Sequence, residues 1–164
     1  MLFPRLLFFT LLTSTVWAAL PARFEANRGQ SPEAVQFQAR GDGQSIFLTS
    51  RGATFHLSDP VSPSTIQLQF DNVGETQLEG DGLLPGTANY FRGNDPKQWI
   101  TNIPTYSRVR YRNIYPGIDL VFYTSAGNVE FDWVLAPQAD PKQIRFSLKG
   151  AKSTRLEEIG RAHV

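Results

Sequence analysis

Four times between Val35 and Phe70 the chain repeats one pattern: a short run in which apolar and polar side chains alternate, closed by a turn. Val35-Gln-Phe-Gln-Ala39 sets Val35, Phe37 and Ala39 on one side of an extended backbone, and Arg40-Gly-Asp-Gly43 reverses it. Ser45-Ile-Phe-Leu-Thr49 follows. Beyond Ser50-Arg-Gly52, Ala53, Phe55 and Leu57 share a side, and after the Pro-Ser-rich stretch 59–64 so do Ile66, Leu68 and Phe70. Side chains of a strand alternate with period 2 and those of a helix return every 3.6 residues, so this pattern buries one face only as a β-sheet. Short strands divided by Gly, Asp and Pro, each with one solvated face, predict an all-β, antiparallel, β-sandwich-like single domain.

The second half continues the pattern less regularly. Strands are expected at 108–112, 120–123, 129–135 and 144–148, with Ser125-Ala-Gly-Asn128 as a hairpin turn between two of them. Residues 71–99 carry Asp81-Gly82, Pro85-Gly86 and Asn94-Asp-Pro96, all turn markers, and read as mostly irregular. Only 32–35 and 96–99 could form a helical turn. No internal repeat is visible. The β pattern is still running near the C-terminus, so the domain is expected to be truncated there.

Both ends carry signals of their own. Arg5 followed by the apolar run Leu6 to Val16, with small residues Val16 and Ala18 at the −3 and −1 positions, has the form of a secretory signal peptide over residues 1–18. The run is shorter than the roughly 20 residues a membrane span needs, so none is expected in the mature fragment. The last six residues, Ile159-Gly-Arg-Ala-His-Val164, match the translation of a common sequencing adapter, and 159–164 reads as a non-native tail behind a module of residues 19–158. The chain has no Cys, hence neither a lipid-anchoring cysteine nor a disulfide framework. An exported protein of the cell envelope or exterior, held by its core alone, fits these features.

Charge narrows the partners. The chain has 16 Lys+Arg and 15 Asp+Glu; without Arg5 and Arg161 the module keeps 14 basic against 15 acidic residues. Nucleic-acid binding wants a concentrated positive surface, so none is expected.

Four segments carry a family resemblance: Phe24-Glu-Ala-Asn-Arg-Gly-Gln30, the run from Leu84 to Trp99 (LPGTANYFRGNDPKQW), the run from Thr101 to Tyr123 (TNIPTYSRVRYRNIYPGIDLVFY), and the run from Glu130 to Ala151. Together they resemble the N-terminal domain, of unknown function, of bacterial exported proteins that carry β-propeller (SBBP-type) repeats. That resemblance implies a β-rich module on a large secreted or cell-surface protein, with propeller repeats downstream. It supplies no catalytic residues.

The residues themselves offer few sites. Glu130 and Asp132 lie two apart on a strand, so both carboxylates face the same way, a spacing that permits the separation of about 5 to 9.5 Å a glycosidase pair needs. Phe131 and Trp133 alternate with them, which a half-buried strand with a polar outer face also produces, and this structural reading is preferred. Arg108, Arg110 and Arg112 share a strand face. They are either a stripe for phosphate or acidic glycans, or a solvated face paired across strands with Glu130 and Asp132, the reading we prefer. Arg40-Gly-Asp42 is read as a turn and not as an adhesion motif. His56 points away from Phe55 and Leu57 and reads as a surface residue, and no GxSxG elbow accompanies it. With no Cys/His cluster and no EF-hand loop, neither metal nor cofactor is expected.

Aromatic residues crowd the second half, from Tyr90 to Trp133. Most are read as core, with Trp99 and Tyr115, both flanked by loop residues (Pro116-Gly117 after Tyr115), as exposed exceptions that could stack on a sugar or meet a surface partner. The resulting expectation is a non-enzymatic structural or interaction module. A carbohydrate-binding module is the alternative, and a glycoside hydrolase-like enzyme using Glu130 and Asp132 comes third.

Overall fold

The alternation from Val35 onward folds as a meander. The computed structural model describes residues 23–41, 43–58, 61–125 and 128–151; the expected signal segment 1–18, Asp42 of the Arg-Gly-Asp sequence and the expected tail 159–164 lie outside them. Ten strands follow in order: β1 (Phe24–Ala26), β2 (Val35–Gly41), β3 (Gln44–Thr49), β4 (Gly52–Leu57), β5 (Ser64–Phe70), β6 (Leu78–Tyr90), β7 (Ile100–Tyr115), β8 (Ile118–Ser125), β9 (Asn128–Leu135) and β10 (Phe146–Lys149). All pairings are antiparallel, in the order β10-β5-β4-β3-β2-β1-β7-β8-β9, with β6 added on β7. The fold is an all-β, antiparallel, sandwich-like single domain made from one curled sheet.

Curling brings the two halves of the sheet face to face. Phe70 on β5 meets Tyr111 on β7 edge-on, with ring centroids 5.5 Å apart, and Trp133 on β9 at 6.1 Å. Phe24, Ile46, Leu48, Val109, Tyr111, Leu120 and Phe122 are sealed between them. Burying each Phe- or Leu-sized side chain contributes about 1.5–3 kcal/mol, and with no disulfide this core holds the domain together. At Gly52 the neighbouring strand β5 lies close, and β7 reaches it across the core. A Cβ there would lie 2.2 Å from the Leu68 carbonyl oxygen, and the Gly52 carbonyl accepts the hydroxyl of buried Tyr111 at 3.2 Å.

Hairpin positions follow the sequence. Gly41 pairs with Gln44 and Ser125 with Asn128, so the Gly-Asp-Gly and Ser-Ala-Gly-Asn turns stand where expected. The sequence Asp-Pro-Lys-Gln occurs twice and folds the same way twice. At Pro96–Gln98 and Pro141–Gln143 a 3-10 turn forms, capped by the preceding aspartate, Asp95 or Asp140, whose side chain accepts the N–H of Lys97 or Lys142. The second of these was not expected from the sequence.

The largest departure is β6. Residues expected to be irregular form a 13-residue strand along β7, which itself runs 16 residues where five were expected. The turn markers are absorbed by irregularities: the register shifts between Leu83 and Thr87, bracketing Pro85-Gly86, and again between Ala88 and Tyr90. Bulges let a strand carry Gly and Pro without ending it.

Candidate functional site

The outer face of β7 displays Arg108, Arg110 and Arg112, but their partners are not those the sequence suggested. β8 separates β7 from β9, so Glu130 and Asp132 stand two strands away. The guanidiniums are met by β6 and β8 instead. Arg112 Nε reaches Glu79 at 2.5 Å, Arg108 Nε reaches Asp81 at 3.1 Å, and Arg110 bridges Asp119 at 3.0 Å and Asp81 at 3.9 Å. The Arg110–Asp119 pair is the most enclosed, with side chains 26% and 25% exposed. Asp119 also accepts the backbone N–H of Asn113 at 2.7 Å. Three cations thus sit among three carboxylates, and a phosphate arriving here would have to displace a partner already in place.

Glu130 and Asp132 project from β9, a margin strand, and both are exposed. Glu130 accepts the Tyr123 hydroxyl at 3.2 Å. Asp132 borders a wide, shallow depression of about 500 Å³ with Arg108, Arg110, Tyr123 and Val134. A glycosidase holds its substrate between two carboxyl groups; here both carboxylates ride the same side of one exposed strand. Among the described residues no group of three or more acidic or histidine side chains stands where it could hold a metal ion.

The two aromatics singled out from sequence part company. Tyr115 is not a surface residue. As the last residue of β7 it turns inward, 5% exposed, with its ring 6.0 Å from that of Trp133. Its hydroxyl lies 3.0 Å from the carbonyl oxygen of Asp71 and 2.5 Å from that of Arg145, and the Arg145 N–H donates to it at 3.3 Å. Pro116-Gly117, which suggested a loop, is only the two-residue turn into β8. Trp99 is exposed as expected. It stands at the base of the β6–β7 connection, where 91–99 is exposed throughout. Its ring meets Phe91 edge-on at 5.0 Å; the two are 37% and 64% exposed, and the indole N–H donates to the Gly93 carbonyl at 3.3 Å. Arg92, Asn94, Asp95, Lys97 and Gln98 lie between the two rings in sequence, all exposed. His56 is exposed, with its Nδ1 2.9 Å from the Thr65 hydroxyl.

A polar cluster unforeseen from sequence joins two distant segments. Gln38 is fully buried on β2; its amide donates to Glu25 at 2.9 Å and to the Tyr90 hydroxyl at 2.8 Å, and its carbonyl takes the Ser31 hydroxyl. Tyr90 donates to Glu25 at 2.6 Å. Burial, then the hydrogen bond to Glu25, pushes the Tyr90 phenol up to about 12. Arg92 lies 5.8 Å above the Tyr90 ring and donates to the Gln30 carbonyl at 2.9 Å. Asn27 meanwhile winds the 27–35 loop around itself. Its amide donates to the carbonyls of Ser31, Pro32 and Val35, and its oxygen accepts from the N–H groups of Gly29 and Ser31. The polar residues of Phe24–Gln30 and of Asn89–Gly93 therefore serve largely to lock these segments to each other. The alternation of β2 puts Gln38 on its outer face, so no local pattern in the sequence signals its burial.

Residues 24–164 match the family model described as a domain of unknown function, DUF7948. The chain belongs to this family. No curated protein and no solved structure matches it. The two mutually locked segments, the charged ladder on β7 and the exposed ring pair all lie within the DUF7948 match. Among the described residues no helix is long and apolar enough to cross a membrane.

Proposed function

We propose that this DUF7948 domain is a non-enzymatic structural and interaction module of an exported bacterial surface protein, followed downstream by β-propeller repeats, and that it contacts its partner through the β6–β7 connection. The observation that carries the reading is how the side chains are used. The arginines of β7 are spent on carboxylates of β6 and β8, the Glu25–Gln38–Tyr90 cluster is spent on joining segments, and the Phe91–Trp99 pair is left facing solvent on a continuous exposed stretch. Exposed large aromatics beside polar groups are what contact surfaces and sugar-stacking platforms share.

A carbohydrate ligand is the second reading, favoured by the exposed polar residues of the 91–99 stretch that carries the two rings. A glycan array separates the two, with wild type compared against Trp99→Ala and Phe91→Ala. Binding that disappears in both variants while thermal stability holds establishes the carbohydrate reading. Flat wild-type binding removes it and leaves a protein partner. Hydrolysis of an aryl-glycoside panel, lost in Glu130→Gln and Asp132→Asn, would overturn the non-enzymatic reading. Export is tested separately: the secreted protein should begin after Ala18.

A further inference from the structure

A sandwich is finished when each inner face is covered by the opposite sheet, about 10 Å away, and each sheet edge is paired or guarded. At one margin neither holds. Among the described residues β9 pairs only with β8 and β10 only with β5. Phe131 and Leu135 on β9 stand opposite buried Phe122 and Ile118, and Phe146 and Leu148 on β10 stand opposite buried Phe70 and Leu68, so all four point inward. They are nevertheless between 36% and 43% exposed. The backbone offers matching groups. The Ala136 N–H bonds across to the Gly117 carbonyl, and the Arg145 carbonyl accepts from Asp71. Alternation from those points turns the N–H and C=O of Phe131, Trp133 and Leu135, and of Phe146 and Leu148, to the two free edges. The outer faces differ in sign. β9 shows Glu130 and Asp132, while β10 shows Lys149, with Arg145 just before it, and all four are exposed. Among the described residues none of the four forms an ion pair.

We propose that two copies of this chain dimerise about a two-fold axis running along this margin, β9 of each adding to β10 of the other. Two strands whose inward-pointing residues are also the ones that bond outward pair antiparallel when set edge to edge in one layer, each residue opposite one of the same face. Opposing Phe131 and Trp133 to Leu148 and Phe146 of the second copy sets Glu130 against Lys149. A shift of two residues, to Trp133 and Leu135, sets Asp132 against Lys149. Either register joins apolar to apolar inside and carboxylate to ammonium outside, and places no like charges opposite each other. The interface is isologous, so one contact made twice closes both edges of the margin. Pairing β9 with the same strand of the second copy also has an apolar register, centred on Trp133. That arrangement gathers the carboxylates of both chains with no cation among them, because β9 holds no Lys or Arg. The crossed arrangement supplies the cation from β10.

Sedimentation velocity on the full chain at low salt tests this. The wild type should pass from monomer to dimer as concentration rises. Lys149→Glu should weaken association at least ~10-fold, since it turns an attractive pair into a repulsive one at both copies of the contact, and so should the double variant Glu130→Lys with Asp132→Lys. An equimolar mixture of the two variants should associate about as tightly as the wild type, because in the crossed pairing every reversed charge then faces an opposite one. A wild type that stays monomeric at every concentration overturns the proposal. So does a dimer that Lys149→Glu leaves unchanged, which would mean β9 on β9, or a mixture that associates no better than its components. Thermal melts check that the variants fold. Should a reversal variant not fold, Lys149→Ala replaces it and should weaken the dimer about threefold or more; an unchanged constant overturns the proposal. None of these readouts depends on Phe91 or Trp99, so the outcome is separate from that of the contact surface proposed above.

Discussion

Replacing Tyr115 with Phe removes one oxygen atom and leaves the ring against Trp133. In the structure that oxygen gives its proton to a carbonyl of Asp71 or Arg145 and accepts the Arg145 N–H. A hydrogen bond of this kind contributes about 1 kcal/mol net, and leaving a partly buried N–H without an acceptor costs about 1–3 kcal/mol. Water reaches part of the site, so we place the total near 2 kcal/mol, or roughly 6–10 °C in Tm for a domain of this size. Calorimetry and urea titration read both, with Tyr123→Phe, whose hydroxyl meets the exposed carboxylates Glu130 and Asp132, as the control. The loss should appear in the urea midpoint with the slope unchanged, since the core is intact. A Tm within about 1 °C of wild type, or an equal loss in the control, would refute the reasoning and return Tyr115 to the surface role its flanking Pro-Gly suggests.

Arg110→Glu places a third carboxylate beside Asp81 and Asp119 and should cost about 1–3 kcal/mol, more than Arg112→Glu at its more exposed site; the double reversal with Asp119→Arg should recover part of it. The deficit of both single variants should narrow in 1 M salt, as denaturation midpoints would show. Stability should fall at alkaline pH. The Tyr90 phenol is pushed up to about 12 and burial also raises that of Tyr111 well above its ordinary value, against about 10 in an unfolded chain, so their contribution is complete below pH 10 and drains away as pH climbs through 12. Urea midpoints across that window should decline less steeply in Tyr90→Phe. Gly52→Ala drives a methyl group into the Leu68 carbonyl and should cost about 3 kcal/mol, visible as a loss of soluble protein or of Tm; an unchanged Tm would mean the strands can part there.

The meander β2–β5 was legible because each strand is short, clean in its alternation and joined to the next by a turn of a few residues; Phe37, Ile46, Ala53 and Leu68 all point where the pattern puts them. β6 was hidden because Gly80, Gly82 and Pro85-Gly86 mimic turns, and only pairing along the whole of β7 reveals a bulged strand. The arginine face was readable, but its partners depend on which strand lies next to β7, which alternation does not encode. Trp99 was placed correctly from its loop neighbours, while the same reasoning failed for Tyr115 because a two-residue turn can follow a buried position directly. The Glu25–Gln38–Tyr90 contacts join residues up to 65 positions apart, and no local pattern announces them.

β7 shares one edge with β6 and divides the other between β1 and β8. The 82 positions that separate Phe24 from its partner Tyr106 make this junction a late event on any folding route. A nascent chain could zip up its first hairpins within moments of their emergence, yet β1 would wait, half-married to β2, until β7 had been made. Once seated, β7 acts as a keystone: neither half can peel away without breaking it, so melting should be a single event with no stable half-molecule to accumulate.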